Sequence, residues 1–241
     1  MLQTPTELLV PLESGGTVTA LVYEAVAGRA DAALVLAHGA GAGQHSPFMT
    51  GFANALASLG VDAITFNFPY TEQRRRLPDR RPVLDACYRS VVHTVERHVQ
   101  HAAGRLFIGG KSMGGRIATE VAAADKDLPV RGLVLLGYPL HPPGRPADLR
   151  AAHLPGVNRP MLFVQGSRDG FGTPAELGPI LTSLSPASTL HVVAGSDHSF
   201  KVARASQQEQ AAVIGDVQRT VVEWIQRVMV SAASGRHQLP R

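Results

Sequence analysis

Short, unbroken apolar runs alternate along this chain with longer stretches of helical period, and that alternation restricts the fold to a mostly parallel sheet wrapped by helices. Ala32 to Ala37 (AALVLA) has no polar position, as suits a strand covered on both faces. Val61 to Phe68, Leu106 to Gly109, Gly132 to Tyr138, Met161 to Gln165 and Leu190 to Val193 are further runs of strand length. Thr17 to Tyr23 reads as an earlier strand, with Val10 and its neighbours as a partner across the Ser14-Gly15-Gly16 turn. Helical segments lie between. Ser46-Pro47 opens one that Gly60 closes, and Pro82 to Ala102 carries Leu84, Tyr88, Val91, Val95 and Val99 on one face. Thr173-Pro174-Ala175-Glu176 is a capping box, and Ser206 with Glu209 forms another, opening a helix that aligns Val213, Val217, Val221, Trp224 and Val228. The expectation is an α/β fold of about seven or eight strands flanked by helices. No repeat or linker divides the chain, so a single domain is expected over residues 1–230, with a flexible tail over 231–241.

Composition narrows the function classes. With 241 residues at 44% hydrophobic and 17% charged, the chain has ample material for a buried core and is not disordered. Net charge is a modest +4, almost all of the basic residues being arginine, with Lys111, Lys126 and Lys201 the three lysines. A nucleic-acid partner would call for a dedicated basic groove, and none is expected. The single cysteine, Cys87, allows no internal disulfide and no cysteine-rich zinc site. The start, Met1 to Val10, lacks the pattern of a signal peptide, and no apolar stretch approaches a membrane span. The expectation is a cytoplasmic protein, monomer or homodimer, acting on a small molecule without membrane or nucleic acid.

The chemistry concentrates in Gly110-Lys111-Ser112-Met113-Gly114, a G-x-S-x-G set between an apolar run and an amphipathic one. A serine nucleophile at a sharp strand-to-helix turn needs small residues on both sides so that the two backbones can approach, and Gly110, Gly114 and Gly115 supply them. The competing reading is a glycine-rich turn bearing a solvated serine.

Such a hydroxyl needs a base and an acid to orient that base. In the chain order nucleophile, acid, histidine, the acid follows a strand beyond the serine. Asp169, in Gln165-Gly166-Ser167-Arg168-Asp169-Gly170, fits. Asp148 has no strand before it, and Asp197 adjoins the candidate histidine too closely to face its ring. Of ten histidines, His93, His98 and His101 fall on a helix before the serine, and His191 falls inside a strand. His198, in the loop after the last strand, is the candidate base. Strand-end loops of a parallel sheet open on one side, so Ser112, Asp169 and His198 should converge there. Oxyanion donors are expected from the backbone N–H of Met113 and of Ala40, with Gly41 as fallback, because His38-Gly39-Ala40 opens the loop after Ala32 to Ala37. His38 reads as structural. No metal ligand set is recognisable, and no cofactor is expected.

The order of strands and the motifs His38-Gly39-Ala40-Gly41-Ala42-Gly43, Gly110-Lys111-Ser112-Met113-Gly114, Arg168-Asp169 and Asp197-His198-Ser199-Phe200 resemble the α/β-hydrolase superfamily over nearly the whole chain. Asn67-Phe68-Pro69-Tyr70 and Gly137-Tyr138-Pro139-Leu140-His141-Pro142-Pro143-Gly144 are similar to a dienelactone-hydrolase-like branch, which includes the α/β-hydrolase-like domain of a eukaryotic chromatin-complex subunit. The resemblance implies a triad at Ser112, Asp169 and His198. Dienelactone hydrolases usually carry cysteine as nucleophile, so Ser112 departs from them. The implied activity is cleavage of a small ester, thioester or lactone through an acyl-enzyme. The alternative is a non-catalytic interaction domain. Residues Tyr138 to Pro160 show no long helical pattern, so a minimal lid is expected. Gly41, Lys111, Tyr70, Arg74 and His141 are candidate substrate contacts. The loop carrying Arg74, Arg75, Arg76, Arg80 and Arg81 suits either an anionic substrate or partner, or a solvated surface paired with Glu72, Asp79 and Asp85.

Overall fold

The computed structural model describes residues 3–25 and 32–234. Its eight strands are β1 (Thr6–Pro11), β2 (Thr17–Tyr23), β3 (Ala33–Ala37), β4 (Asp62–Phe66), β5 (Leu106–Lys111), β6 (Gly132–Leu136), β7 (Met161–Gly166) and β8 (Thr189–Val193). They form one sheet in the order β1-β2-β4-β3-β5-β6-β7-β8. β1 and β2 pair antiparallel, as do β2 and β4, and every pairing from β4 onward through β8 is parallel. Six helices connect them: α1 (Pro47–Ser58), α2 (Pro69–Glu72), α3 (Arg81–His98), α4 (Met113–Ala124), α5 (Pro174–Thr182) and α6 (Gln207–Ser234). The strand-length apolar runs became central strands: β3, β4 and β6 are buried along their whole length, β4 with Asp62 and Thr65 as buried polar positions.

Two apolar layers sandwich the sheet. On one face Leu84, Tyr88 and Val91 of α3 and Ile117 and Val121 of α4 pack with Val35, Ile108 and Leu135. On the other, Phe52 and Leu56 of α1 and Val217, Val221 and Trp224 of α6 pack with Leu34, Leu36 and Val134. Strand order reverses direction on either side of β3, because its chain successor β4 lies to one side and β5 to the other. That switch point leaves a crevice at the carboxyl ends of β3 and β5.

Several boundaries differ from the sequence reading, each for a local reason. α3 stops at His98, where Val99 turns extended (φ −99°, ψ 121°), and His101 is thus off the helix, its Nδ1 2.9 Å from Asp62 Oδ2. β6 ends at Leu136 because Gly137 takes φ +64°, and the Tyr138 N–H leaves the ladder to donate to Gln165 Oε1 at 2.8 Å. Phe68 caps the short α2, which the arginine-rich loop concealed; Pro69 at its first position was the available signal. Ser46 holds the N-cap position of α1 without a side-chain bond, whereas both capping boxes form, Thr173 with Glu176 and Ser206 with Glu209. α6 continues through Ser234, and the rest of the expected tail lies outside the described residues.

One buried contact braces the strand that carries the serine. The Tyr88 hydroxyl donates to the Gly109 carbonyl at 2.6 Å and accepts from the Gly109 N–H at 3.0 Å. Phenylalanine there leaves both backbone groups buried without that partner. Tyr88→Phe should therefore cost about 1–3 kcal/mol, and a thermal melt followed by circular dichroism should show Tm lowered by roughly 2–12 °C. An unchanged Tm would contradict this role.

Candidate active site

Ser112 stands between the end of β5 and the start of α4 with φ 53° and ψ −117°, a backbone conformation that side chains with a Cβ rarely adopt. The turn is forced by close approach to β3. A Cβ on Gly110 would sit 2.4 Å from the Ala37 carbonyl oxygen, and one on Gly114 2.3 Å from the same atom. Larger residues at either position would push α4 off the sheet and open the turn.

Ser112 Oγ lies 2.8 Å from His198 Nε2, and His198 Nδ1 lies 2.8 Å from Asp169 Oδ2. A proton on Nδ1 satisfies both contacts: His198 donates to the carboxylate, and its bare Nε2 accepts from the serine hydroxyl. Asp169 Oδ2 also accepts from Gln165 Nε2 at 2.8 Å, and Oδ1 from the Phe171 N–H at 2.8 Å. The Asp169 side chain is fully buried and that of His198 is 19% exposed, so a molecule entering from solvent meets the ring and not the acid. Phe171 packs on the imidazole with ring centroids 4.2 Å apart. The three residues come from the ends of β5, β7 and β8, as expected of loops opening on one edge.

Beside them runs the loop after β3. A Cβ on Gly39 would lie 3.5 Å from Ser112 Cβ, so the loop passes close beside the serine one residue before Ala40. Among the described residues the N–H groups of Ala40 and Met113 have no acceptor, Met113 being the first residue of α4. Gly41, with φ +73°, is exposed next to Ala40. His38 is fully buried, its Nδ1 2.8 Å from the Gly39 carbonyl and its Nε2 3.3 Å from Thr71 Oγ1, and burial lowers its pKa. It ties the loop to α2.

Three of the expected substrate contacts are wholly or largely buried. Tyr70 is buried in the core against Phe68 and His38. His141 is buried with Nδ1 2.9 Å from the Pro142 carbonyl and Nε2 3.3 Å from Glu176 Oε1, at the start of α5. Lys111 turns inward, its Nζ donating to the His198 carbonyl at 2.6 Å. Sequence adjacency to Ser112 does not fix direction, because alternate residues of a strand point to opposite faces. Gln165 escaped the sequence reading. Its amide donates to Asp169 Oδ2, to the Gly172 carbonyl at 2.7 Å and to the Tyr138 carbonyl at 3.3 Å while Oε1 accepts from Tyr138 N, so it clamps the acid's loop. A single polar residue closing the apolar run Met161 to Val164 was the signal.

Arg74 is exposed at φ +56° in the arginine loop. Arg75 pairs with Asp79 at 2.5 Å and Arg81 with Asp85 and Glu120 at 3.3 and 3.2 Å, while Glu72 is taken by the Thr19 N–H. Arg74, Arg76 and Arg80 have no ion-pair partner among the described residues. The connection from β6 to β7, residues 137–160, contains one short 3-10 turn, Leu154–Gly156, and no helical cap. A groove of about 890 Å3 lies away from this chemistry, at the opposite ends of the strands, lined by Arg131, Pro160, Thr189 and Trp224. No group of three metal-ligating side chains occurs among the described residues, and none of their helices is long and apolar enough to cross a membrane.

A mostly parallel sheet with a strained serine turn and a facing histidine and aspartate defines an α/β-hydrolase fold. The family model described as "Alpha/beta hydrolase domain" matches residues 30–226, and the chain belongs to that family. Among solved structures it resembles an α/β serine hydrolase without a lid from Xanthomonas campestris, 21% identical at TM-score 0.70 over 93% of this chain and 96% of that one. It is also similar to a dienelactone hydrolase from Anabaena variabilis, 20% identical at TM-score 0.71 over 93% and 99% of the two chains. An α/β serine hydrolase homologue from Coxiella burnetii is 18% identical at TM-score 0.70 over 92% and 98%.

Proposed function

We propose that this protein is a serine hydrolase that cleaves a small carboxylic ester, thioester or lactone through an acyl-enzyme. The observation that carries the reading is the unbroken chain of 2.8 Å hydrogen bonds from Asp169 through His198 to Ser112 at the strained turn. In the first step Ser112 Oγ attacks the substrate carbonyl carbon while His198 Nε2 takes its proton. The carbonyl oxygen, now anionic, is met by the N–H groups of Met113 and Ala40. Collapse breaks the bond to the leaving group, which receives the proton from His198. Water then repeats the sequence on the acyl-serine, and the carboxylic acid departs. Asp169 holds the imidazole and stabilises its charged form.

The uncapped β6–β7 connection favours small substrates over large lipids. Turnover of p-nitrophenyl acetate by the wild-type protein tests the reading against a non-catalytic interaction domain, for which no turnover is expected. The loop carrying the unpaired Arg74, Arg76 and Arg80 follows β4, parallel to β3 and so on the edge that bears the serine; within reach of the substrate these guanidiniums would favour an acyl group that carries a negative charge. Replacing all three by alanine should raise KM for a carboxylate-bearing p-nitrophenyl ester by about threefold to tenfold, with much less effect on p-nitrophenyl acetate. Equal effects on both esters would contradict the charge preference.

A further inference from the structure

We propose that Lys111 is a positioning residue: its ammonium, bonded to the main-chain carbonyl of His198, holds the base's loop so that the imidazole keeps its contacts with Asp169 and Ser112. This rests on the serine-hydrolase reading but adds a residue that acts through His198 and not on the substrate.

The surroundings are built for that bond. Nζ donates to the His198 carbonyl at 2.6 Å, and the ring of Phe200 lies 5.4 Å from it, within range of cation–π attraction. The slot exists because residue 137 is glycine. A Cβ there would lie 2.8 Å from Nζ, 3.1 Å from the His198 carbonyl and 3.4 Å from His198 Nδ1. Gly137 also needs its φ of +64°, so the turn after β6 and the space for the lysine share one residue. Other bonds secure the flanks of this loop: Gly195 N–H donates to Ser167 Oγ at 2.8 Å, Arg168 N–H to the Ser196 carbonyl at 2.9 Å, and Gln210 to the Phe200 carbonyl at 2.7 Å. At His198 itself, among the described residues, the side chain that reaches the main chain is Lys111.

A charged donor makes this a stronger bond than a neutral one. The charged and titratable groups facing the ammonium are Asp169 from the loop after β7, and Asp197 and His198 from the loop after β8. Burial pushes the lysine down to about 8, with Asp169 and Asp197 opposing that shift. The ammonium therefore predominates at neutral pH and is lost as pH rises through about 8. A purely structural lysine would leave activity flat over that range as long as the protein stays folded.

The test measures kcat and KM for p-nitrophenyl acetate between pH 6.5 and 9.5, corrected for spontaneous hydrolysis, on wild type and Lys111→Met, with a thermal melt of each. Wild type should lose kcat on an alkaline limb centred near pH 8 while KM holds. Lys111→Met should have kcat lowered about 10- to 100-fold at pH 7, little change in KM, and no alkaline limb. A variant that keeps wild-type kcat, or that retains the alkaline limb, would overturn the proposal. If Lys111→Met fails to fold, the wild-type profile decides: kcat that does not fall between pH 7 and 9.5 overturns it. A wild type with no turnover at any pH instead refutes the hydrolase reading, and this proposal with it.

Discussion

Ser112→Ala is expected to lower kcat for short p-nitrophenyl esters by about four to six powers of ten, leaving a Tm close to that of the wild type. In the proposed mechanism the serine oxygen carries the acyl group, so nothing else at the site can replace it, and the residual rate would be what the Met113 and Ala40 N–H groups contribute alone. The side-chain change is small, and Ser112 Oγ bonds to His198 rather than to the core. The strained backbone, φ 53° and ψ −117°, is imposed by Gly110 and Gly114 against Ala37, so it should persist in the variant. A loss of less than about tenfold, measured on protein shown to be folded, would remove Ser112 from the reaction.

Asp169→Asn should cost about 10⁴-fold in kcat, with KM little changed. The carboxylate is surrounded by donors: Phe171 N–H on Oδ1, and Gln165 Nε2 and His198 Nδ1 on Oδ2. An asparagine must present its own NH2 to one of these sides. If the amide oxygen takes the Phe171 side, the NH2 faces Gln165 and His198. The imidazole then bonds to it only by moving its proton to Nε2, where it can no longer accept the proton of Ser112. If the amide is turned round, its NH2 opposes the Phe171 N–H instead and the buried loop is strained. Either way the pair is broken. A kcat within tenfold of wild type would mean that the carboxylate does not orient the base.

Much of the fold was legible because it rests on long-range averages of residue type. The runs at Ala32 to Ala37 and Gly132 to Tyr138 have no polar position, and only a doubly covered strand accommodates such a run without burying polar side chains. The chain order of serine, acid and histidine, each after a strand, likewise located three residues that the sheet brings within hydrogen-bonding distance. What sequence could not supply was direction. Lys111 adjoins Ser112 in the chain, yet its Nζ lies against the His198 carbonyl, because Gly137, distant in sequence, leaves the slot. Tyr70 and His141 sit in segments near the site but bury their rings. The end of α3 at His98 escaped for a related reason: the apolar period continues to Val99, while the turn back into β5 is set by tertiary contacts such as His101 with Asp62.

The claim on which the rest depends is that Ser112 is an activated nucleophile. Incubating the wild-type protein with a fluorophosphonate and locating the adduct by peptide mass spectrometry measures that reactivity without knowledge of the natural substrate. The expected result is a single stoichiometric adduct on Ser112, abolished in Ser112→Ala and strongly slowed in Asp169→Asn. Folded wild-type protein that stays unlabelled, or that carries the label on another residue while Ser112 is free, would contradict it.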